Sequence, residues 1–260
     1  TLWLGDGLLT NPDFPGWSGA MEPFVELAWL AGRFPSARVG LSAAVLPLRD
    51  VAWAVKQAAT LDQVTEGRFV LVVAPGFWAR EFAWRGVPFE ERGARFAEAV
   101  TALCAGFAGE PFEGRWHCFP AEGRLAPEAL TAGGPPLWLA GAGATMSRAL
   151  ALGLPFQASR ATPEQLAPLA RRWRDGGGGL LGVRVRVSVA DRPPTGHAVD
   201  WQALTGPAEF LAEQLAAYRE LGVADVSLIP GQDDASSLAT VEALVEEVVP
   251  ALAPTGQRRV

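Results

Sequence analysis

Short apolar runs, typical of buried strands, alternate along the chain with longer stretches in which apolar residues recur every three or four positions. The clearest run is Phe69–Ala74, a continuous apolar segment suited to a strand that is covered on both faces. The other predicted strands are Leu2–Gly5, Ala37–Leu46, Leu137–Ala140, Pro155–Ser159, Gly182–Ala190 and Asp225–Ile229. This alternation favours βαβ units and a parallel sheet.

The stretches between these runs predict helices, two of which have clear apolar stripes. The stripes are Val51, Val55, Ala58 and Leu61 after the capping residue Asp50, and Phe96, Val100, Leu103 and Phe107 within the helix predicted near Phe89–Phe107. Further helices are predicted over Pro23–Phe34, from Thr145, from Pro163, from Pro207 and near Leu238–Leu252. The remaining segments predict a long loop before Phe89, a hairpin-like excursion over Phe112–Phe119 and a flexible turn at Gly176–Gly179.

The strand–helix pairs number about seven, one fewer than a closed TIM-type (β/α)8 barrel requires. The chain opens at Thr1 directly on a strand. We therefore expect such a barrel with its first βα unit absent from this sequence. Length alone also permits two small domains. Because neither a Pro/Ser linker nor an internal repeat divides the sequence, we expect a single domain over residues 1–260.

Composition narrows the classes of partner. With 49% hydrophobic residues the chain can bury a core, which excludes a purely disordered protein. The net charge is −6 and Lys56 is the only lysine, so nucleic acid is not an expected partner. Cys104 and Cys118 are expected to be free thiols. Neither a membrane span nor a signal peptide is found, and a cytoplasmic location is expected.

A turn of small residues follows one predicted strand and opens a helix in the segment Pro135–Thr145. Such a turn lets a phosphate approach backbone N–H groups and the positive end of a helix dipole. Thr145, expected at the cap position, could add a hydroxyl contact. The alternative is a tight βα turn in which Thr145 only caps its helix. The glycine spacing matches neither a P-loop nor the dinucleotide-binding fingerprint.

Two other segments could border a ligand. In Val39–Arg49, small residues in the second half of a strand leave room for a flat ligand, or serve close packing of helix on strand. The segment Gly67–Trp78 ends in a loop of the kind that carries catalytic groups in barrels. Glu81, just beyond it, is a weak candidate acid or base; glutamates in such loops are more often surface or ion-pair residues.

The aromatic and imidazole side chains add little chemistry. Trp3, Trp78 and Trp138 lie at or near strand ends, where they could stack on an aromatic ligand or serve as packing. The two histidines, His117 and His197, are far apart, and no Cys/His/Asp cluster has ligand spacing, so no metal site is expected. Since the sequence lacks a Gly-x-Ser-x-Gly elbow, a Ser-His-Asp triad is poorly supported.

In this order, the segments resemble the luciferase-like flavin monooxygenase family, which also includes deazaflavin-dependent oxidoreductases. The resemblance covers nearly the whole chain; each string is weak and the ordered set is specific. The matching strings are Leu2–Asp6, Val39–Arg49, Lys56–Asp62, Gly67–Trp78, Gly86–Arg92, Phe112–Arg115 and Pro135–Thr145.

The resemblance implies an eight-stranded TIM-type barrel whose opening strand and helix precede Leu2, and it implies a flavin site. The residues implied to bind the flavin are Ser42 and Ala43 under the ring, Gly76 and Phe77 beside it, and Gly141, Ala142, Gly143 and Thr145 at the phosphate. The bulge at Ser42–Ala43 is implied to contain a non-prolyl cis peptide.

Two positions depart from the family. Members often carry a histidine in a Gly-Asp-His or Glu-His-His string after the first matching strand, and this chain has Gly7 there. Where luciferases place an arginine near the phosphate, the chain has Pro75. The residue that handles protons is therefore unknown, and both the luciferase-type reaction and sugar-phosphate dehydrogenation are in doubt.

These implications lead to the hypothesis of an FMN-dependent oxidoreductase, a monooxygenase that uses reduced FMN and O2 on a small organic substrate. One alternative is hydride transfer with an F420-type deazaflavin, since both cofactors have a tricyclic ring and a phosphate. Another is a non-catalytic or vestigial flavin-binding barrel, suggested by Gly7. Expected partners are the substrate, a flavin reductase that supplies reduced cofactor, and a second copy in a homodimer.

Overall fold

The computed structural model describes residues 1–10, 19–190, 203–231 and 234–252. The predictions that concern Trp17 and His197 lie outside these residues. The chain divides into two compact units, Thr1–Arg148 and Ala149–Val260. The prediction of a single domain stays a prediction. No helix of the described ranges is long and apolar enough to span a membrane.

In the part of the first unit that the structure describes, four parallel strands pair in the order β1, β2, β3, β6. They are β1 (Leu2–Leu4), β2 (Val39–Val45), β3 (Phe69–Ala74) and β6 (Leu137–Ala140). Two short antiparallel strands, β4 (Phe112–Glu113) and β5 (Cys118–Phe119), form the predicted hairpin-like excursion. The predicted parallel strand pairing is therefore confirmed for this unit.

Among the described residues, five helices belong to the first unit or begin in it. They are α1 (Pro23–Arg33), α2 (Val51–Val64), α3 (Ala79–Trp84), α4 (Arg92–Ala108) and α5 (Gly143–Leu152), with short 3-10 turns at Leu46–Leu48 and Phe89–Glu91. Helix α2 begins where predicted, because the Asp50 side chain accepts the N–H of Trp53 at 2.9 Å. Helix α3 was missed by the sequence analysis, which predicts a loop there. The predicted helix over 89–107 begins instead at Arg92, after the 3-10 turn.

The core of the first unit lies where the apolar patterns place it. All residues of β3 before Ala74 are buried, and so is the predicted stripe of α2. Phe96, Val100 and Leu103 of the α4 stripe are also buried, and Phe107 is half-buried. The strand ends, and with them the loops that follow, are thus held by apolar packing on both faces of β3.

The second unit is also built on parallel strands. Strands β7 (Phe156–Ser159) and β10 (Val223–Pro230) pair with the long strand β8 (Leu181–Val189), and β9 (Ala203–Gly206) pairs with its carboxyl half. The helices are α6 (Pro163–Asp175), α7 (Ala208–Glu220), α8 (Asp234–Ala243) and α9 (Val249–Ala251), with a π-helical turn at Leu244–Val248. Strand β9 was not predicted, and the single final helix predicted near 238–252 is interrupted by the π turn.

Candidate functional site

The carboxyl ends of four neighbouring strands bring the predicted site residues of the first unit to one edge of its sheet. Parallel strands point the same way, so the segments that follow them meet at that edge. These segments are residues 5–9 after β1, 42–45 at the end of β2, 75–77 after β3 and 141–145 after β6. All of the candidate flavin-binding residues lie in them.

Strand β2 has a bulge at the position that the family resemblance implies. Leu41 pairs with Leu71 and Ala44 pairs with Val73, so two residues of β2 oppose one residue of β3. The peptide bond between Ser42 and Ala43 is cis. Both the bulge and the cis bond agree with the expectation.

The small residue Gly40 does not leave open space for a ligand. A Cβ at Gly40 would lie 2.3 Å from Cζ3 of Trp3, its partner across the β1–β2 ladder. The Trp3 indole therefore covers this glycine, so Gly40 leaves no room for a flat ligand and packs against a neighbouring strand rather than against a helix. The other two tryptophans that could stack on a ligand are half-buried: Trp138 within β6, and Trp78 just before α3.

The turn after β3 is tightly constrained at Gly76. Its φ of +80° lies in the region that favours glycine, and a Cβ would lie 2.7 Å from Cγ1 of Val45 and 2.8 Å from the ring of Phe82. The next residue, Phe77, is 60% exposed. The turn thus fixes the backbone against β2 and leaves an aromatic side chain at the sheet edge.

The residue 141–145 turn opens helix α5 two residues earlier than predicted. The helix begins at Gly143, and the carbonyl of Ala142 accepts the N–H groups of Thr145 and Met146 at 2.9 and 3.1 Å. Thr145 is therefore not the cap; it is the third helical residue, and its side chain is buried. A Cβ at Gly141 would lie 2.7 Å from Thr145 Oγ1, so the hydroxyl sits directly against the glycine.

The exposed part of this turn consists of small residues at a helix start. Ala142, Gly143 and Ala144 are exposed, and nothing lies within 4 Å of a Cβ placed on Gly143. The first N–H groups of a helix lack partners within the helix and carry the positive end of its dipole. The turn can therefore accept an oxyanion through backbone groups, with the Thr145 hydroxyl close by.

Glu81 lies on α3 with 7% of its surface exposed. Its Oε1 accepts the backbone N–H of Leu8 at 2.6 Å and that of Leu9 at 3.3 Å. The carboxylate therefore binds the loop after β1, in which Gly7 stands at the family's histidine position. In this structure Glu81 orients a loop, and its candidacy as an acid or base stays a prediction.

Asp6, at the start of the same loop, forms a bidentate ion pair that sequence reasoning missed. Its two carboxylate oxygens accept Arg49 Nη2 at 2.7 Å and Arg49 Nε at 2.9 Å, and Oδ2 also accepts the N–H of Val45 at 2.9 Å. Burial alone would lower the pKa of Arg49, but Asp6 and Glu22 outweigh it and raise the pKa. Because the partners are 43 residues apart, no local pattern could have revealed the pair.

The histidine and cysteine residues do not form a metal site within the described part of the chain. No group of three or more His, Cys, Asp or Glu side chains there has the geometry to hold a metal ion. His117 lies beside β5, where its backbone N–H binds Glu98 at 2.9 Å. Cys118 is exposed and Cys104 is half-buried, both as free thiols.

A family model described as "Luciferase-like monooxygenase" matches residues 1–193, so the chain belongs to this family. Among curated proteins, the uncharacterized protein y4vJ of Sinorhizobium fredii (strain NBRC 101917 / NGR234) is 31% identical over 152 residues. That match covers 57% of this chain and 42% of the relative. The matched region thus spans less than half of that protein.

Solved structures share the fold at low sequence identity. Monooxygenase RslO1 from Streptomyces bottropensis has a TM-score of 0.81 at 20% identity, with 96% of this chain and 88% of that chain covered. The oxygenating constituent of 3,6-diketocamphane monooxygenase from Pseudomonas putida, in complex with FMN, has a TM-score of 0.74 at 16% identity, with 96% of this chain and 88% of that chain covered. An F420-dependent secondary alcohol dehydrogenase has a TM-score of 0.72 at 15% identity, with 96% of this chain and 89% of that chain covered. The chain therefore has the α/β fold of these proteins.

Proposed function

We propose that this protein is a flavin-dependent oxidoreductase, and specifically a monooxygenase that uses reduced FMN and O2 on a small organic substrate. The observation that carries the proposal is the residue 141–145 turn, an exposed, side-chain-poor helix start beside a buried threonine hydroxyl. It lies at the same sheet edge as the β2 bulge in a chain of the luciferase-like family. FMN is also the cofactor named with the 3,6-diketocamphane monooxygenase structure.

The residues of this edge fit such a cofactor. A phosphate would bind the N–H groups of Gly141, Ala142 and Gly143, where a larger residue at 141 would displace Thr145. The ring would lie against Ser42 and Ala43, with Gly76 and Phe77 at its side. When bound, FMN supplies the electron transfer, and the protein supplies binding, orientation and exclusion of water.

The loop after β1 would form one wall of the site. Asp6 and Glu81 attach it to Arg49 and to α3, so that its backbone keeps a fixed position at the sheet edge. Since Gly7 provides no imidazole, any proton transfer in this protein uses a group other than the one common in the family. Glu81 stays a candidate for that role only if its bonds to the loop are exchanged for a bond to substrate.

A deazaflavin is the second candidate cofactor, because F420 is named with two solved structures of the same fold, the secondary alcohol dehydrogenase and a tetrahydromethanopterin reductase from Methanopyrus kandleri. Both cofactors carry a phosphate that the same turn could hold. The protein would then transfer a hydride without oxygen. A flavin-binding barrel without turnover is the third candidate, and it is suggested by Gly7.

The first experiment is to purify the protein and titrate it with FMN and with F420, following absorbance and thermal stability. Gly143→Asp is the informative variant, because the position is open and an aspartate at a helix start does not destabilise the helix. We expect FMN affinity to fall by about tenfold or more through charge repulsion, with no loss of Tm. The matched neutral control is Gly143→Asn. Equal FMN affinity in both variants would contradict phosphate binding at this turn.

Oxygen consumption then separates the candidate reactions. Reduced FMN with a bound substrate should drive substrate-dependent oxygen uptake in the monooxygenase, whereas the deazaflavin enzyme should change F420 absorbance without oxygen. We also propose a separate reductase as the source of reduced FMN and a homodimer as the assembly. Gel filtration with light scattering tests the dimer. Addition of chemically reduced FMN in place of the reductase tests whether the reductase serves only to supply reduced FMN.

A further inference from the structure

Strand β8 of the second unit carries two arginines on one face. Val183, Val185 and Val187 alternate with them and are fully buried or nearly so. Because side chains alternate across a strand, Arg184 and Arg186 lie together on the opposite face. Arg186 lies in the carboxyl half of β8, and Arg184 pairs with Ser159, the last residue of β7. Parallel sheets bind ligands at the carboxyl ends of their strands.

A third arginine joins them from the neighbouring strand. The residue before it, Ser159, pairs with Arg184 in the β7–β8 ladder, and the N–H of Arg160 donates to the carbonyl of Arg184 at 2.8 Å. Arg160 has a φ of +58°, a left-handed conformation that is uncommon outside glycine and concentrated at functional sites. A guanidinium N–H of Arg186 donates to the carbonyl of Gly231, just after β10.

The same face of the sheet is polar below the arginines. Gln157 of β7 is 1% exposed, and its Nε2 donates to Ser227 Oγ of β10 at 3.4 Å. Ser227 donates in turn to Asp225 Oδ1 at 3.3 Å. Buried polar side chains cost free energy unless they are hydrogen-bonded, so this polar face differs from the apolar packing that a purely structural core uses.

Electrostatics favours an anion at this face. Burial, followed by the charges of Arg160 and Arg186, lowers the pKa of Arg184 to about 10. Arg184 therefore stays protonated at neutral pH, as a desolvated cation near two other cations. The net effect of the surroundings is to disfavour the charged form of the Arg184 guanidinium. An added anion would offset this cost, and guanidinium groups bind carboxylates and phosphates in bidentate geometry.

We propose that Arg160, Arg184 and Arg186 form a binding site for the oxyanion of a small-molecule substrate, either a carboxylate, a phosphate or a sulfonate. The identity of this ligand as the substrate rests on the proposed oxidoreductase function. A flavin phosphate has the same chemistry and is the other source of such an anion. We assign the oxyanion to the substrate, because the residue 141–145 turn is the site proposed for the flavin phosphate.

The test uses the full chain and inorganic phosphate as the probe. Thermal unfolding is followed against phosphate concentration at constant ionic strength, with saturating FMN to occupy the flavin phosphate site, and without FMN. We expect a saturable rise in Tm in both conditions. Arg160→Gln and Arg184→Met should each weaken phosphate by about tenfold, since each removes a charge-assisted hydrogen-bond donor. Arg160 follows β7 and lies outside any strand, so Arg160→Gln keeps the test valid should Arg184→Met, within β8, fail to fold.

Arg172→Gln is the matched control, because it removes one exposed arginine from α6 of the same unit. It should leave phosphate affinity unchanged. The proposal is wrong if phosphate has no saturable effect, or if the effect survives Arg160→Gln. It is also wrong if FMN abolishes the phosphate effect and Arg160→Gln weakens FMN itself, since the arginines would then hold the flavin. Failure to bind any flavin contradicts the proposed function alone, because the titration without FMN still decides the oxyanion site.

Discussion

Oε1 of Glu81 accepts the backbone N–H of Leu8 at 2.6 Å, across 73 residues of sequence. This bond and the bidentate Asp6–Arg49 pair hold the loop after β1 from both sides of Gly7. A loop at the carboxyl edge of a parallel sheet would ordinarily be mobile, because its backbone groups can bind water. Here two carboxylates bind it to the rest of the first unit.

Removal of the Glu81 carboxylate should destabilise the protein. Glu81→Ala leaves two backbone donors without their acceptor, which costs about 1–3 kcal/mol of unfolding free energy. Glu81→Gln keeps an oxygen acceptor and should recover at least half of that loss. Urea unfolding measures both variants. Glu90→Ala removes an exposed carboxylate from the 3-10 turn Phe89–Glu91 and should change stability very little. Equal stability of Glu81→Ala and wild type would show that the loop bonds contribute nothing.

The Asp6–Arg49 pair should show strong energetic coupling. A double-mutant cycle with Asp6→Asn and Arg49→Gln is expected to give about 1–3 kcal/mol, because the pair is bidentate and half-buried. The comparison pair is Arg124 and Glu128, which are 4.0 Å apart and exposed, and their coupling should stay below about 0.5 kcal/mol. Denaturant titrations supply all of the free energies. Similar coupling in the two pairs would contradict a special role for Asp6.

Gly40 should resist substitution because of Trp3. In Gly40→Ala the new methyl group would lie 2.3 Å from the indole, so the ring must move, at a cost of about 1–3 kcal/mol. Adding Trp3→Ala should remove most of this extra penalty, although that change has its own cost. Gly32→Ala, in an open position of α1, should instead stabilise by about 0.5–1 kcal/mol. Thermal unfolding of wild type, Gly40→Ala, the double variant with Trp3→Ala, and Gly32→Ala measures these differences. A Gly40→Ala variant as stable as wild type would contradict the close packing of Trp3 on Gly40.

The hairpin tip should be sensitive to acid through Glu98. Burial alone would raise the pKa of Glu98, but backbone N–H groups of Trp116, Arg115 and His117 outweigh it and lower the pKa from 4.5. A carboxyl pKa that is lower in the folded state gives stability that is present above the unfolded pKa and is lost as pH falls through the folded one. Glu98→Gln should therefore reduce the loss of unfolding free energy on acidification below pH about 4.5.

His117 adds a separate contribution at higher pH. Burial lowers its pKa below 6.5, although Glu98 and Asp50 oppose the shift. The unfolded chain then takes up this proton first, so stability falls as pH decreases from 6.5 to the folded pKa. Urea unfolding of His117→Gln between neutral and acidic pH should show a smaller decrease than wild type in that window. Identical pH profiles for the two proteins would disprove the contribution, with Glu110→Gln as an exposed control.

Elements with continuous apolar character could be predicted from the sequence. Strands β3 and β6 have the bounds that their apolar runs indicate, because turn residues end each run on both sides. Helix α3 was missed because it has only six residues and its N-cap residue, Trp78, makes no side-chain capping bond. Local signals of length and capping were absent, and tertiary packing of Phe82 forms the helix instead.

The candidate site was predicted in its backbone parts and missed in its charged parts. The bulge and the small-residue turn are encoded by contiguous residues, which a motif can show. Asp6, Arg49 and Glu81 act on one another or on backbone groups through contacts 39 to 73 residues apart, which no spacing rule identifies. The alternation of valine and arginine in β8 was visible in the sequence, but only the strand pairing brings Arg160 to it.

Because Glu81 and Asp6 hold the loop around Gly7, position 7 is suited to the introduction of a new functional side chain. A side chain introduced at position 7 would project from a backbone that is already fixed by its neighbours. The backbone would therefore set the direction of that side chain without further substitutions. Gly7→His would thus place an imidazole at the family's position without the need to rebuild a scaffold. A catalytically active member of the family and an inactive one would then differ at a single residue of the same fold.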